Sequence, residues 1–486
     1  MPMFLEPYWP HILFVLSLLL GVPAAIHAAM TKEEVRSAIG WVGIIILSPI
    51  VGALLYFIAG INRIRRSAIS DRRFLLQGHV RDHFETYDAT DEIVTEQFGR
   101  RFAAMKTLGD RVTSHELTTG NAISVLSTGD DAYGAMLNAI GEASRSILLE
   151  TYIFDRDRVG RRFADALIAA AKRGVAVRVL IDAVGARYSV PSVLGMLRDG
   201  GVIVDVFNGN VIMGLRLPYA NLRTHRKILI VDGAVAFTGG MNIREGFSSE
   251  FFGDKCSGDT HFRVSGAVVA DLFAIAANDW RFTAGEDLQD NVWQIVPPTA
   301  DPGTPVAIRA VSSGPDRNVE TNHKMLMGAF SIARTSIRIV SPYFLPDREL
   351  ITALITAARR GVEVDIIVPQ TNNLTLIDRA MTGQFDQLLK NYCRIWRASG
   401  AFDHSKLMAI DSCWAFVGSS NLDPRSLRLN FEVDMEVMDH SFAQALERRI
   451  DVTISSSKQV TLDDLRSKPF PARLVDRILW LGSPYL

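Results

Sequence analysis

The sequence predicts an α/β protein built from two similar halves behind an apolar N-terminal anchor. Three observations lead there. First, one spaced set of residues occurs twice: His225-x-Lys227-x4-Asp232 followed by Gly239, Gly240 and Asn242, and His404-x-Lys406-x4-Asp411 followed by Gly418, Ser419 and Asn421. In each copy the histidine precedes the asparagine by 17 positions. Second, strand-like and helix-like patterns alternate around both copies. Third, the hydrophobic excess behind a mean hydropathy of +0.14 sits at the front of the chain.

Residues 11–29 (HILFVLSLLLGVPAAIHAA) and 38–61 (AIGWVGIIILSPIVGALLYFIAGI) are two apolar runs, the second uncharged over 24 positions. A membrane-spanning helix takes about 20 mostly apolar residues. A secretory signal starts with a basic region, and no Lys or Arg precedes the first run. Residues 1–66 are therefore expected to form a transmembrane hairpin, with Trp41 and Tyr56 as interfacial anchors. Arg63, Arg65, Arg66, Arg72 and Arg73 follow the second run. By the positive-inside rule that flank, and the chain after it, lies at the cytoplasmic face.

Residues 67–115 are polar and mixed in charge, which suggests a linker with some helix. The first half, 116–295, opens with a strand at 122–126 and a helix at 133–143. A buried strand at 146–154 (SILLETYIF), an amphipathic helix at 160–173 closed by Gly174, and a strand at 175–181 follow. The second half, 296–468, repeats this order with a strand at 306–311, a helix at 323–333 and a strand at 336–344 (SIRIVSPYF). A helix at 349–360 stopped by Gly361 and a strand at 362–368 complete it. AKRGVAVRVLID (171–182) matches ARRGVEVDIIVP (358–369), so the whole unit is duplicated. Pro297, Pro298, Pro302 and Pro305 mark the junction. The alternation implies layered α/β halves with largely parallel pairing. In the last segment, 469–486, Leu474, Ile478 and Leu481 share a helical face with Arg473 and Arg477 beside it. This fits an interfacial helix, or one packed on the protein's own surface. Residues 211–219 (VIMGLRLPY) are a second apolar stretch suited to lipid tails.

A net charge of −1 gives no global basic field for nucleic acid. Cys256, Cys393 and Cys413 make neither a disulfide framework nor a close metal-ligand set and are expected as reduced filler. No metal and no cofactor is expected.

Each copy of the motif brings an imidazole, an ammonium and an amide. That set suits a phosphate ester. A neutral imidazole attacks phosphorus and carries the group covalently. A second imidazole protonates the leaving alkoxide and then deprotonates the incoming alcohol. Lys227 and Lys406 would neutralise the non-bridging oxygens, and Asn242 and Asn421 would add amide donors. Gly240 and Ser419 are small, so backbone can approach the phosphate. Asp259 and Glu432 follow the two histidines by 34 and 28 residues and are candidates to orient them. Asp232 and Asp411 close the catalytic motif and are expected to hold its loop rather than touch substrate. His261, beside Asp259, is the one other histidine near this set.

The doubled motif resembles the phospholipase D superfamily. THRKILIVDGAVAFTGGMNI (224–243), HSKLMAIDSCWAFVGSSNLDPRSLRLNFE (404–432) and the anchor WVGIIILSPIVGALLYFIAGINRIRR (41–66) resemble bacterial cardiolipin synthases. The resemblance implies two similar α/β/α sandwich domains related by a pseudo-two-fold axis, with one active site between them. It implies a phosphohistidine intermediate, with His225 as nucleophile and His404 as acid and base, and no metal. It implies two phosphatidylglycerol molecules as substrates, cardiolipin and glycerol as products, and a place in the bacterial inner membrane. A phospholipase D-type hydrolase, or a transphosphatidylase using another alcohol, stays open, because no residue decides between water and alcohol. A non-catalytic membrane protein is disfavoured by two intact motifs. Oligomeric state is not legible.

Overall fold

A computed structural model describes residues 8–32, 35–60, 84–208, 222–316 and 318–483. The chain forms two compact units, 1–65 and 66–486.

In the smaller unit a 23-residue helix, Trp9–Thr31, is the one helix among the described residues long and apolar enough to cross a membrane. The second apolar run is not continuous. It is helical over Val35–Leu47, breaks at Ser48, and resumes at Pro49–Leu55 before a π-helical turn at Tyr56–Gly60. Pro49 has no N–H to give and pushes the residue before it out of helical geometry; Ser48 sits at φ −143°, ψ 79°. Tyr56 is not an outward anchor. It is buried, with its hydroxyl 2.8 Å from His27 Nδ1 and its ring edge-on to Trp41. The arginines at 63–73 lie outside the described residues.

In the larger unit the first half supplies β1 (Ala122–Leu126), β2 (Ser146–Thr151), β3 (Ala176–Asp182), β4 (Ile203–Phe207), β5 (Arg223–Thr224), β6 (Ile228–Val231), β7 (Val235–Gly239) and β8 (His261–Ser265). Seven of these make one sheet, in the order β1-β8-β7-β6-β2-β3-β4. The second half supplies β9 (Ala307–Ser313), β10 (Ser336–Val340), β11 (Glu363–Pro369), β12 (Arg394–Ala398), β13 (Leu407–Ile410), β14 (Trp414–Gly418), β15 (Asn430–Met438) and β16 (Lys458–Gln459). Its sheet runs β16-β12-β11-β10-β13-β14-β15, with β9 paired to β15. From β9 to β12 the order repeats that of β1 to β4, strand for strand.

Pairing in each sheet is mixed rather than largely parallel. β2-β3-β4 and β10-β11-β12 are parallel blocks, while the strands carrying the motifs are antiparallel. The reason is the tight turn that follows each motif, at Asp232 and Asp411, which joins β6 to β7 and β13 to β14. Connections that short allow only antiparallel neighbours.

Helices pack on the sheets to form the layers. Arg158–Lys172 starts at an Asp157 cap that accepts from Gly160 N at 2.8 Å, and buries Phe163, Ala164, Leu167 and Ala170. Its counterpart Arg348–Arg359 starts at an Asp347 cap and buries Leu350, Ile351, Leu354 and Ala357. Each is closed by a glycine at positive φ, Gly174 and Gly361. Phe154, Phe163 and Val179 belong to the first core; Phe330, Ile339 and Ile366 belong to the second.

Residues 84–115 are not a linker. Asp91–Phe98 and Arg100–Val112 are helices, and Phe102 and Met105 enter the second core. Buried Arg309 on β9 donates to Asp110 and Glu436, each at 2.8 Å, which ties this segment to the sheet. Helix-period burial within a polar composition hid this packing. Residues 209–221, including the stretch at 211–219, lie outside the described residues.

Candidate active site

Both histidines sit where one half's chain enters the other half. β5 leaves its own sheet and pairs parallel with β15, matching Arg223 to Asn430 and Thr224 to Phe431. His225 N then donates to Phe431 O at 2.8 Å. The second copy does the same in mirror fashion: Gly258 bridges Asp403, and His404 N donates to Gly258 O at 2.7 Å. Each histidine is thus fastened to the residue before the other half's acid.

The acids consequently pair across the halves. Glu432 Oε2 accepts from His225 Nδ1 at 2.9 Å, and Asp259 Oδ2 accepts from His404 Nδ1 at 2.8 Å. The expectation that each acid serves the histidine shortly before it in sequence is corrected: the partners are 207 and 145 residues apart. At His225 a carboxylate can only accept, so Nδ1 carries the hydrogen and Nε2 is left for the cavity; at His404 the Lys406 ammonium stands as close to Nδ1, 2.8 Å, as Asp259 does. His225 and His404 line the same cavity, of about 570 Å³, as do Asn242 and Asn421.

The lysines are buried beneath their histidines. Lys227 Nζ donates to His225 O, and Lys406 Nζ to His404 O. An ammonium has three donors, so each keeps protons for a phosphate oxygen. Burial pulls Lys227 down to about 7, against the attraction of Glu432. Burial also lowers Lys406. His225 is driven well below its ordinary value by burial, then by Lys227 and Lys406. His404 falls to about 4 through burial and Lys406, with Asp259 pulling the other way. Both rings are therefore neutral. A bound phosphodiester brings a negative charge that offsets the lysines and raises both rings.

The acids differ. Burial raises Asp259, but Lys406, the His404 ring and Thr260 N–H together outweigh it and hold the carboxyl below its usual range. For Glu432 burial prevails over Lys227 and its hydrogen bonds, and the carboxyl is raised. His404 thus faces the acid held below its usual range, and His225 the acid held above it.

Gly240 and Ser419 both meet the acids. A Cβ on Gly240 would stand 2.3 Å from Asp259 Oδ1, so the missing side chain makes room for the acid. At the matching position Ser419 Oγ donates to Glu432 Oε2 at 2.6 Å. Both residues shape the surroundings of the acids. Asn242 Oδ1 accepts from Ile153 N at 3.1 Å, which leaves the amide donors for the cavity.

Asp232 and Asp411 lie at the far ends of β6 and β13, about 20 Å of strand from their histidines. Asp232 accepts from the backbone N–H groups of Ser144, Arg145 and Ser146. Asp411 accepts from those of Arg334, Thr335 and Ser336. Each pins the entry to the neighbouring strand. Neither belongs with the catalytic groups, and the loop-holding expectation fits the geometry.

Several site residues were not anticipated. Arg226, between His225 and Lys227, points away from the cavity. Its guanidinium donates to Asp279, to Glu432 O at 3.0 Å and to Ser312 Oγ at 2.6 Å, bracing the acid's strand. Phe247, Tyr343 and Phe402 surround the His404 ring at 5.9–6.5 Å, whereas among the described residues Tyr152 is the one aromatic ring in contact with His225, at 5.0 Å. Arg244 and Asp423, each two residues after its asparagine, also line the cavity, together with Arg223 and Arg425. Burial raises Asp423 to about 6. That shared offset was readable in the sequence. His261 is buried and pushed down to about 4 by burial, a neutral ring packed behind Asp259.

Two related halves that exchange acids across one histidine pair define a phospholipase D-like fold and site. Comparisons agree. A family model described as "Cardiolipin synthase, PLD-like domain" matches residues 136–249 and 326–453, and one described as "Phospholipase_D-nuclease N-terminal" matches 19–60. A cardiolipin synthase of Alkalihalophilus pseudofirmus is 31% identical over 92% of this chain and 88% of its own. Cardiolipin synthase A of Pseudomonas putida is 29% identical over 99% of each chain. The structure of a phosphatidylserine synthase from Haemophilus influenzae shares the fold, with a TM-score of 0.59 at 16% identity over 79% of this chain and all of its own. The chain belongs to the cardiolipin synthase family of phospholipase D-like proteins.

Proposed function

We propose that this protein is a phosphatidyltransferase that joins two phosphatidylglycerol molecules into cardiolipin and releases glycerol. The observation that carries the reading is the crossed pairing, which brings both histidines to one cavity with their Nε2 atoms free. His225 Nε2 attacks phosphorus and the bond to the glycerol oxygen breaks. His404, raised to the imidazolium by the negative charge of the bound phosphodiester, gives that oxygen the proton from its Nε2 and becomes neutral. The terminal hydroxyl of a second phosphatidylglycerol then gives a proton to His404 and attacks phosphorus, and His225 is released. Lys227, Lys406 and Asn242 stabilise charge on the non-bridging oxygens.

The cavity walls suit an alcohol that carries its own phosphate. Arg244 offers a cation to the second phosphate. Asn421 Oδ1 is buried without a donor among the described residues, and two residues on stands the Asp423 carboxyl, one oxygen of which accepts from Ser426 N at 2.8 Å. Both accept hydrogen bonds, as hydroxyls of a glycerol head group require. The apolar anchor supports a membrane enzyme, and the arginines at 63–73 support a cytoplasmic catalytic face in the bacterial inner membrane.

The test is product analysis with the purified full chain, phosphatidylglycerol and EDTA. Cardiolipin and glycerol in equal amounts are expected. Phosphatidic acid instead of cardiolipin would make the protein a hydrolase, and no product would remove the catalytic reading.

A further inference from the structure

The C-terminal helix Phe470–Leu481 packs on helix Thr375–Leu389 through one face only. Asp476 is buried there, paired with Arg379 at 2.8 Å and Lys468 at 3.1 Å, and Leu479 and Trp480 reach the second core. The other face is bare. Phe470, Leu474, Ile478 and Leu481 are 67, 46, 55 and 71% exposed and follow one another at helical spacing. A stripe this apolar on an otherwise charged surface marks a contact with something apolar.

The stripe is continuous with the mouth of the active site. Ser483, just past the helix, lines the catalytic cavity, as do Leu374 and Ile377 at the start of the helix it packs on. Beneath the C-terminal helix lies a separate recess of about 420 Å³, edged by Phe470 and Leu474 and by Lys390, Arg466, Lys468, Arg473 and Arg477. Asp386 and Asp476 on its wall already have cation partners. The side chains of Arg466 and Arg473 have none among the described residues. The recess thus offers two uncommitted guanidiniums directly beside an apolar stripe, the arrangement an anionic phospholipid presents in reverse.

We propose that this helix and the recess beneath it form a bilayer-docking site that holds the head group of an anionic phospholipid, distinct from the catalytic pocket. The stripe enters the acyl region, Arg466 and Arg473 take the phosphate, and the mouth of the active site is turned to the lipid. This rests on the phospholipid reading above, but its readout needs no turnover, so the two fail separately.

The experiment uses the full chain with Ile478→Cys carrying a bimane label, in a Cys256→Ser background that removes the half-buried native thiol. Vesicles are phosphatidylcholine, with or without phosphatidic acid, which has no alkoxide head group to transfer. Nitroxides on the acyl chains should quench the label when phosphatidic acid is present, and aqueous nitroxide should not. Arg466→Glu with Arg473→Glu should weaken this lipid-dependent quenching about 30-fold or more. In that variant kcat on a soluble p-nitrophenyl phosphodiester should be unchanged, and KM for vesicle-borne phosphatidylglycerol should rise. Quenching by aqueous nitroxide in both vesicles would show a solvent-facing helix and overturn the proposal. So would quenching by neither reagent, since the stripe would then be covered by protein. Equal acyl-chain quenching with and without phosphatidic acid would overturn the head-group site.

Discussion

Asp259→Asn isolates the crossed pairing. Asp259 belongs to the first half, yet its carboxylate accepts from His404 in the second at 2.8 Å. Asparagine keeps the size and one acceptor but removes the charge that a buried imidazolium needs. A hydrogen bond to a charged group is worth about 1.5–3 kcal/mol. That alone is a rate factor of about 10 to 150. Loss of the fixed tautomer adds to it; in Ser-His-Asp triads the same change costs about 10⁴. Transfer from phosphatidylglycerol should therefore fall about 10²- to 10⁴-fold. The decisive arm is a p-nitrophenyl phosphodiester, whose leaving group needs no proton. His404 acts on the leaving group, so Asp259→Asn should keep the p-nitrophenolate burst within about tenfold of the parent. Glu432→Gln, which disturbs the nucleophile His225, should lose it. Thermal melts would confirm that both variants fold. If Asp259→Asn loses the burst and Glu432→Gln keeps it, either each acid serves its own half or the histidine roles are exchanged. Either outcome would refute the crossed pairing with His225 as nucleophile.

Lys227→Met should abolish transfer yet raise Tm, because burial holds the ammonium down to about 7 in the folded protein against 10.5 for the free side chain. The unfolded chain binds the extra proton between those values, so stability of the parent rises with pH across that window, and the variant should lack this slope. Asp411→Ala removes the acceptor of three strand-entry N–H groups; it should cost about 2–4 kcal/mol of stability while kcat of the folded enzyme stays within about threefold. Gly240→Ala should mimic Asp259→Asn in both substrates, because its Cβ would stand 2.3 Å from the carboxylate.

The duplicated order of strands and helices was legible because the motif spacing, the glycine stops and the aspartate caps repeat in register. His225, Lys227, His404, Lys406 and Asn242 were legible for the same reason. The exchange of Asp259 and Glu432 was not, since proximity in sequence favours the wrong partners and only the crossing of β5 onto β15 reverses them. Gly240 looked like room for phosphate because an absent side chain does not say what fills its space. Residues 84–115 looked like a linker because Phe102 and Met105 are few among many charges. The break at Ser48 was legible from Pro49, and a count of uncharged positions passes over it. The C-terminal helix packs one face on the protein, as one of the two expectations has it, and leaves the other open.

The central claim is one active site, shared by two halves, with His225 as its nucleophile. Peptide mapping of the covalent adduct tests it most directly. His404→Ala, mixed with the p-nitrophenyl ester of phosphatidic acid and quenched in base, should carry one phosphatidyl group per chain, on Nε2 of His225, and His225→Ala should carry none. An adduct on the His404 peptide in His225→Ala, or two adducts per chain in the parent, would contradict the account.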